Sequence, residues 1–228
     1  MSKLKRGLIV SCQAVKGEPL YGYNVMHLFA KAVVEGGAVG IRALGEDIPL
    51  IRSMVDVPII GITKTVSPDS EVYITPALND IQFLLKTDCQ VIAMDATPRY
   101  RNGGVRLEEI VKYVRSHAPE RELMADIATL ADAENAVRLG FDYVSTTLRG
   151  YTAETKGMQL PDIGFMREVK ELLRGTDVKM VAEGGINECD QLREIKRIDP
   201  YAVVIGSAIT RPKLICERFA AALAECGE

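Results

Sequence analysis

Val178-Lys179-Met180-Val181-Ala182-Glu183-Gly184-Gly185-Ile186 and, further on, Tyr201-Ala202-Val203-Val204-Ile205-Gly206-Ser207-Ala208-Ile209-Thr210-Arg211-Pro212 are two apolar runs that each end in small residues. Glycine stands where each strand should stop, so bare backbone N–H groups can approach an anion without a Cβ in the way. The loops after the last two strands of an eight-fold (β/α) barrel commonly hold a ligand phosphate in this manner. The two runs therefore predict strands seven and eight of such a barrel, with a phosphate site at Gly184, Gly185, Gly206 and Ser207.

Six earlier runs complete the set. They are 7–12, 38–42, 58–62, 90–95, 122–126 and 142–146, and they are continuously apolar where a half-solvated antiparallel strand would alternate. Helical patterns lie between them. Leu107, Ile110, Val111 and Val114 share one helical face. Thr129 is a candidate N-cap with Asp132 three residues on, and Gly140 stands at the left-handed end of the same helix. Pro76 and Pro161 suit first helical turns. Strand starts recur every ~20 to 36 residues, close to one-eighth of a barrel of about 250 residues. A doubly wound sheet would want a glycine-rich fingerprint after its first strand, and Ser11-Cys12-Gln13-Ala14 has none. The reading is a single (β/α)8 TIM-barrel domain over 1–228. The run 71–75 stays open between an extended loop and part of a hairpin.

The chain's 228 residues can bury a large core, and its net charge of −3 argues against non-specific nucleic-acid binding. No apolar run reaches the ~20 residues a bilayer demands, and the N-terminus lacks a signal-peptide core, so no membrane partner and a cytoplasmic location are expected. Five cysteines without CxxC spacing read as reduced thiols, and no metal site is expected. Only two histidines occur, His27 and His117, both in helical patterns. Histidine-based nucleophilic devices and multi-histidine metal centres are thereby disfavoured. Acid–base work falls to Lys, Asp, Glu and Tyr.

Residues just after a barrel strand face the mouth where chemistry occurs. That position selects Arg42, Lys64, Asp95, Asp126, Glu183 and Arg211. A lysine at an apolar rim is desolvated, which lowers its pKa, whereas a neighbouring carboxylate raises it. On position alone Lys64 is either a base or a solvated loop lysine. Glu183 and Arg42 either act on a ligand or pair with each other, Asp95 and Asp126 either act or cap the next helices, and Gly184-Gly185 is either a phosphate loop or only a turn.

Taken in order, Gly7-Leu8-Ile9-Val10-Ser11-Cys12-Gln13, Gly40-Ile41-Arg42-Ala43, Pro58-Ile59-Ile60-Gly61-Ile62-Thr63-Lys64, Asp95-Ala96-Thr97, Thr146-Thr147-Leu148-Arg149-Gly150-Tyr151-Thr152, Ala182-Glu183-Gly184 and Gly206-Ser207-Ala208-Ile209-Thr210-Arg211 resemble the N-acetylmannosamine-6-phosphate 2-epimerases over nearly the whole chain. The resemblance implies a TIM barrel that interconverts N-acetylmannosamine 6-phosphate and N-acetylglucosamine 6-phosphate in the use of sialic acid and related amino sugars. It implies no metal or organic cofactor, and it favours a homodimer. Under it Lys64 is the base at C2 and Glu183 its acidic partner. Arg42, Asp126 and Arg211 contact sugar and phosphate with Gln13 nearby, and the backbone of Gly184, Gly185, Gly206 and Ser207 holds the phosphate. Two positions depart from the family pattern: Gly185 stands where a basic residue is frequent, and Arg149 where serine is usual. A pentose-phosphate epimerase would want histidine and acidic metal ligands at strand ends. A non-catalytic sugar-phosphate sensor would keep Gly206 and Arg211 without needing Lys64 and Glu183.

Overall fold

A computed structural model describes residues 2–225, leaving Met1, Cys226 and the last two positions of the expected 1–228 span outside the described residues. Among the described residues, strands β1 (Gly7–Cys12), β2 (Gly40–Leu44), β3 (Ile59–Ile62), β4 (Val91–Asp95), β5 (Glu122–Asp126), β6 (Tyr143–Ser145), β7 (Lys179–Glu183) and β8 (Ala202–Ile205) pair in sequence order and close into one parallel barrel. Closure is made by β1 on β8, with Gly7 opposite Ala202 and Val10 opposite Ile205. The connecting helices are α1 (Met26–Glu35), α2 (Ile48–Arg52), α3 (Leu78–Leu84), α4 (Leu107–His117), α5 (Leu130–Leu139), α6 (Ile163–Leu172), α7 (Cys189–Lys196) and the short α8 (Ser207–Thr210), followed by α9 (Pro212–Glu225). No helix among the described residues is long and apolar enough to cross a membrane.

The continuously apolar strands conceal an alternation. Ile9, Leu44, Ile60, Ile62, Val91, Met124, Val181 and Val204 fill the barrel interior, while Val10, Ile41, Ile92, Leu123, Val144, Met180 and Ala182 pack outward against the helices. Successive Cβ atoms point to opposite faces, so both sides of each strand are buried. From below, Leu4 plugs the interior and is 2% exposed. Its N–H donates to Tyr143 Oη at 3.2 Å, and its carbonyl accepts from Tyr201 Oη at 2.8 Å.

Local signals hold where chemistry specifies them. Leu107, Ile110, Val111 and Val114 are all buried along α4. Thr129 Oγ1 accepts from the Asp132 N–H, and Gly140 ends α5 at φ 77°. Three expectations are corrected. The second strand begins at Gly40, not Ala38, because pairing starts with Ile9 opposite Gly40 and the turn at Gly36 and Gly37 uses up the residues before it. Arg42 is therefore the middle residue of β2 and not a residue that follows it. Pro76 and Pro161 each lie one position before an N-cap, Ala77 and Asp162 respectively, outside the first turns of α3 and α6. The open segment 71–75 folds back on the strand-three extension: Lys64 bridges Ile74 in antiparallel fashion, and Thr65 N–H donates to Tyr73 O at 2.9 Å.

Candidate active site

The same alternation that makes the core brings polar side chains together at the C-terminal rim. Inward positions run Ile9 then Ser11 on β1, Met124 then Asp126 on β5, Tyr143 then Ser145 on β6, and Val181 then Glu183 on β7. Each of these four strands thus ends in a polar residue on its inner face as it approaches the mouth. There a cavity of about 650 Å³ opens, lined by Gln13, Arg42, Lys64, Glu183, Gly184, Gly185, Gly206, Ser207 and Arg211 among others. Of the residues expected at the mouth, Asp95 and Asp126 do not line it; the Asp126 carboxylate is paired with Arg42 and fully buried.

Arg42 is the hub. Its Nη1 donates to Asp126 Oδ1 at 3.0 Å and its Nη2 to Asp126 Oδ2 at 2.6 Å, a two-pronged pair with side chains 1% and 0% exposed. Nη1 also donates to Glu183 Oε2 at 3.3 Å. The Arg42–Glu183 ion pair that position alone left open therefore forms, with Asp126 as the tighter partner. The planar fork matches a carboxylate in a way a lysine cannot.

Two hydroxyls complete the network. Thr147 Oγ1 lies 2.8 Å from Asp126 Oδ1 and 2.9 Å from Glu183 Oε2, and Ser145 Oγ donates to Glu183 Oε2 at 3.3 Å. Thr146 fixes the strand end beneath them: its hydroxyl donates to Glu183 O at 2.7 Å and accepts from the Glu183 N–H at 3.0 Å. Selecting residues by charge passes over Thr147, and the signal for it was the paired threonines directly after the sixth strand. Tyr73, carried into the cavity by the fold-back of 71–75, is passed over for the same reason.

Electrostatics separate the two central groups. Burial first, then the nearby guanidinium groups of Arg211 and Arg42, lower Lys64 from 10.5 to about 8, against partial opposition from Glu18 and Glu183. Burial likewise pushes the Glu183 carboxyl above the usual range; Arg42 opposes this and Asp126 adds to it. A poised amine and a carboxyl biased toward its acid form share one cavity, the pattern expected where protons are moved.

The far wall is backbone. Gly184 and Gly185 have φ of 110° and 68°, and a Cβ on Gly185 would meet Leu160 Cβ at 2.4 Å. The glycine at 185 is thus demanded by both conformation and space. Among the described residues, the N–H groups of Gly184, Gly185, Gly206 and Ser207 donate to no protein acceptor. Arg211 flanks them, its Nε 2.9 Å from Glu18 Oε1. Gln13 Nε2 donates to Ser11 Oγ at 2.6 Å.

Two residues of open role are used structurally. Asp95 accepts from Thr97 N–H at 2.9 Å and from Arg99 Nη2 at 2.6 Å, organising the loop after β4 instead of capping α4. Arg149 lies outside the cavity, donating to Asp162 Oδ2 at 2.9 Å and Ala128 O at 3.2 Å with its guanidinium 4.3 Å from the Phe165 ring centre.

A family described as "Putative N-acetylmannosamine-6-phosphate epimerase" matches residues 26–225. A Staphylococcus aureus (strain JH9) protein named "Putative N-acetylmannosamine-6-phosphate 2-epimerase" is 46% identical over 217 residues, covering 95% of this chain and 97% of that one. The solved N-acetylmannosamine-6-phosphate 2-epimerase of Clostridium perfringens superposes with a TM-score of 0.87 at 42% identity, over 94% of this chain and 92% of that chain. A thiamine phosphate pyrophosphorylase from Pyrococcus furiosus, at 15% identity and TM-score 0.61 over 94% of this chain and 91% of that one, shares the fold alone. The chain belongs to the N-acetylmannosamine-6-phosphate epimerase family.

Proposed function

We propose that this protein interconverts N-acetylmannosamine 6-phosphate and N-acetylglucosamine 6-phosphate by removing and returning the proton at C2, in the breakdown of sialic acid and related amino sugars. The observation that carries the reading is the convergence of Lys64, lowered to about 8, with the acid-biased Glu183 in one cavity.

The proton at C2 of an open-chain aldose is acidic only because the aldehyde beside it can take up the electrons as an enolate. Lys64 as the amine is the base. At pH 7 about one lysine in ten with a pKa near 8 is neutral, against about three in ten thousand at 10.5. Glu183 supplies a proton donor for the oxygen that gathers charge. Deprotonation erases the stereocentre, and reprotonation of the planar enolate from its other face gives the epimer. Side chains alone provide this chemistry, so no metal or organic cofactor is required.

The unengaged N–H groups of Gly184, Gly185, Gly206 and Ser207 bind the 6-phosphate, with Arg211 neutralising its charge. Arg42 and Gln13 hold the sugar, and Asp126 acts on the substrate through Arg42. Residues 1–228 form one domain, and the protein works in the cytoplasm as a homodimer. Helix α9 supports the dimer: none of its residues is buried, and Phe219 and Leu223 are 74% and 79% exposed, an apolar face suited to a second copy.

Incubation with N-acetylmannosamine 6-phosphate in D₂O, followed at C2 by proton NMR, tests the reading. N-acetylglucosamine 6-phosphate carrying deuterium at C2 is the expected product. No conversion at all would remove the assignment.

A further inference from the structure

The half-buried hydroxyl of Thr147, at the cavity wall, carries more contacts than its proton can serve. It lies 2.8 Å from Asp126 Oδ1, 2.9 Å from Glu183 Oε2 and 2.9 Å from Ser145 Oγ. A hydroxyl has one proton to donate, and an ionised carboxylate only accepts. Suppose both carboxylates are ionised. Thr147 then donates to Asp126 or to Glu183, and the other short oxygen–oxygen contact sets lone pair against lone pair. Ser145 does not resolve this, because its single proton is spent on Glu183 at 3.3 Å or on Thr147.

Charge gives the same answer independently. One guanidinium, Arg42, serves two carboxylates, and the Arg42 and Asp126 side chains are almost wholly buried. Two ionised carboxylates on this one guanidinium would leave an excess negative charge that Lys64, in ion-pair contact with neither, offsets only from across the cavity; one carboxylate and one carboxylic acid leave the ion-paired group neutral. Asp126, held by both prongs of Arg42, is the natural anion. Glu183, with the single longer contact, is the natural acid.

We propose that Thr147 is a positioning residue that accepts a hydrogen bond from protonated Glu183 Oε2 and donates one to Asp126 Oδ1, so that Glu183 enters the reaction as a carboxylic acid. Both short contacts of Thr147 to the carboxylates are then satisfied, and Ser145 can spend its proton on Thr147 at 2.9 Å in place of the longer contact to Glu183. The use of this proton in turnover rests on the epimerase reading; its presence in the resting protein does not. As Lys64 takes the C2 proton, the C–H electron pair forms the C1–C2 double bond and the carbonyl pair moves onto oxygen. Glu183 gives its proton to that oxygen and becomes a carboxylate. When C2 takes up a proton on its other face, the C1–C2 pair forms the new C–H bond, the carbonyl re-forms and its oxygen returns its proton to Glu183; the proton gained by Lys64 balances the one taken up. The charged and titratable groups around Glu183 are Arg42 on β2, Lys64 beyond β3, Asp126 on β5, and Tyr73, whose phenol faces Asp126 and Arg42.

The infrared difference between wild type and Glu183→Gln at neutral pH tests the proposal without requiring turnover. A carboxylic-acid C=O stretch lost in Glu183→Gln supports it, and a carboxylate stretch lost in its place overturns it. Thr147→Val should shift or remove the acid band and lower kcat about tenfold or more with KM little changed, and Thr147→Ser should restore both. An unshifted band with normal kcat in folded Thr147→Val overturns the positioning role. An acid band in a wild type that converts no N-acetylmannosamine 6-phosphate would uphold the proton while removing the epimerase reading.

Discussion

Replacing Lys64 with methionine should destroy turnover and stabilise the protein at once. In the unfolded chain the ammonium is solvated; in the barrel it is partly buried beside Arg211 and Arg42, and its pKa falls from 10.5 to about 8. That fall means the fold disfavours the charged form by about 3 kcal/mol at pH 7. Because the folded pKa of this base is depressed, the cost is fully present below pH 8. It shrinks as pH rises from 8 toward 10.5, to below about 1 kcal/mol near pH 10. Methionine keeps an unbranched apolar stem of similar length without the charge. For a chain of this size, Lys64→Met should raise Tm by roughly 6–12 °C at pH 7, and by much less at pH 10. The assay is thermal unfolding of both proteins across pH 6–10, paired with the C2 exchange measurement, in which turnover should drop by ~10²–10⁴-fold. An unchanged or lower Tm at pH 7, or a gain that does not depend on pH, would refute the desolvation argument. The expected gain is the stability a site gives up to keep a reactive group in place.

Asp126→Ala leaves Arg42 buried without its two-pronged partner and should cost about 3–5 kcal/mol, read from urea unfolding midpoints. Arg211→Ala should raise KM for the sugar phosphate about 10- to 100-fold and weaken inhibition by inorganic phosphate, with a smaller effect on kcat. Gly185→Ala drives a Cβ toward Leu160 at a φ of 68° and should lose about 1–3 kcal/mol of stability together with phosphate affinity, measured by melting with and without ligand. Phe219→Glu combined with Leu223→Glu should shift sedimentation from dimer to monomer; an unchanged dimer would place the interface elsewhere.

The barrel was legible because both faces of each strand are buried, which turns all eight into short apolar runs flanked by caps and glycines. Thr129 and Gly140 were readable because a side-chain cap and a left-handed residue each leave a one-residue signature. Register was harder. Ala38 and Val39 are as apolar as the strand they precede, and only the pairing of Ile9 with Gly40 fixes where β2 starts. At the other end β2 continues to Leu44 opposite Ile62, so Arg42 lies within the strand, at the floor of the cavity, and organises Asp126 and Glu183 in place of standing alone. Lys64, Glu183 and Arg211 could be located because charge at a strand end is conspicuous. Thr147 carried only the fainter signal of paired threonines after the sixth strand, and its role shows once oxygens from β5, β6 and β7 surround it.

The pairing of β1 with β8 has a consequence for how the protein is made. Gly7 emerges from the ribosome 195 residues ahead of its partner Ala202. At about 5–20 residues per second, β1 waits some 10–40 s for the strand that completes its hydrogen bonding. Throughout that interval the nascent chain presents an unpaired apolar strand edge, and the plug at Leu4 lacks the Tyr201 hydroxyl that anchors its carbonyl. The rim network inherits this timing, because the walls of the cavity come from both ends of the chain. Substitutions that slow closure should therefore lower the yield of soluble protein even where the finished barrel tolerates them.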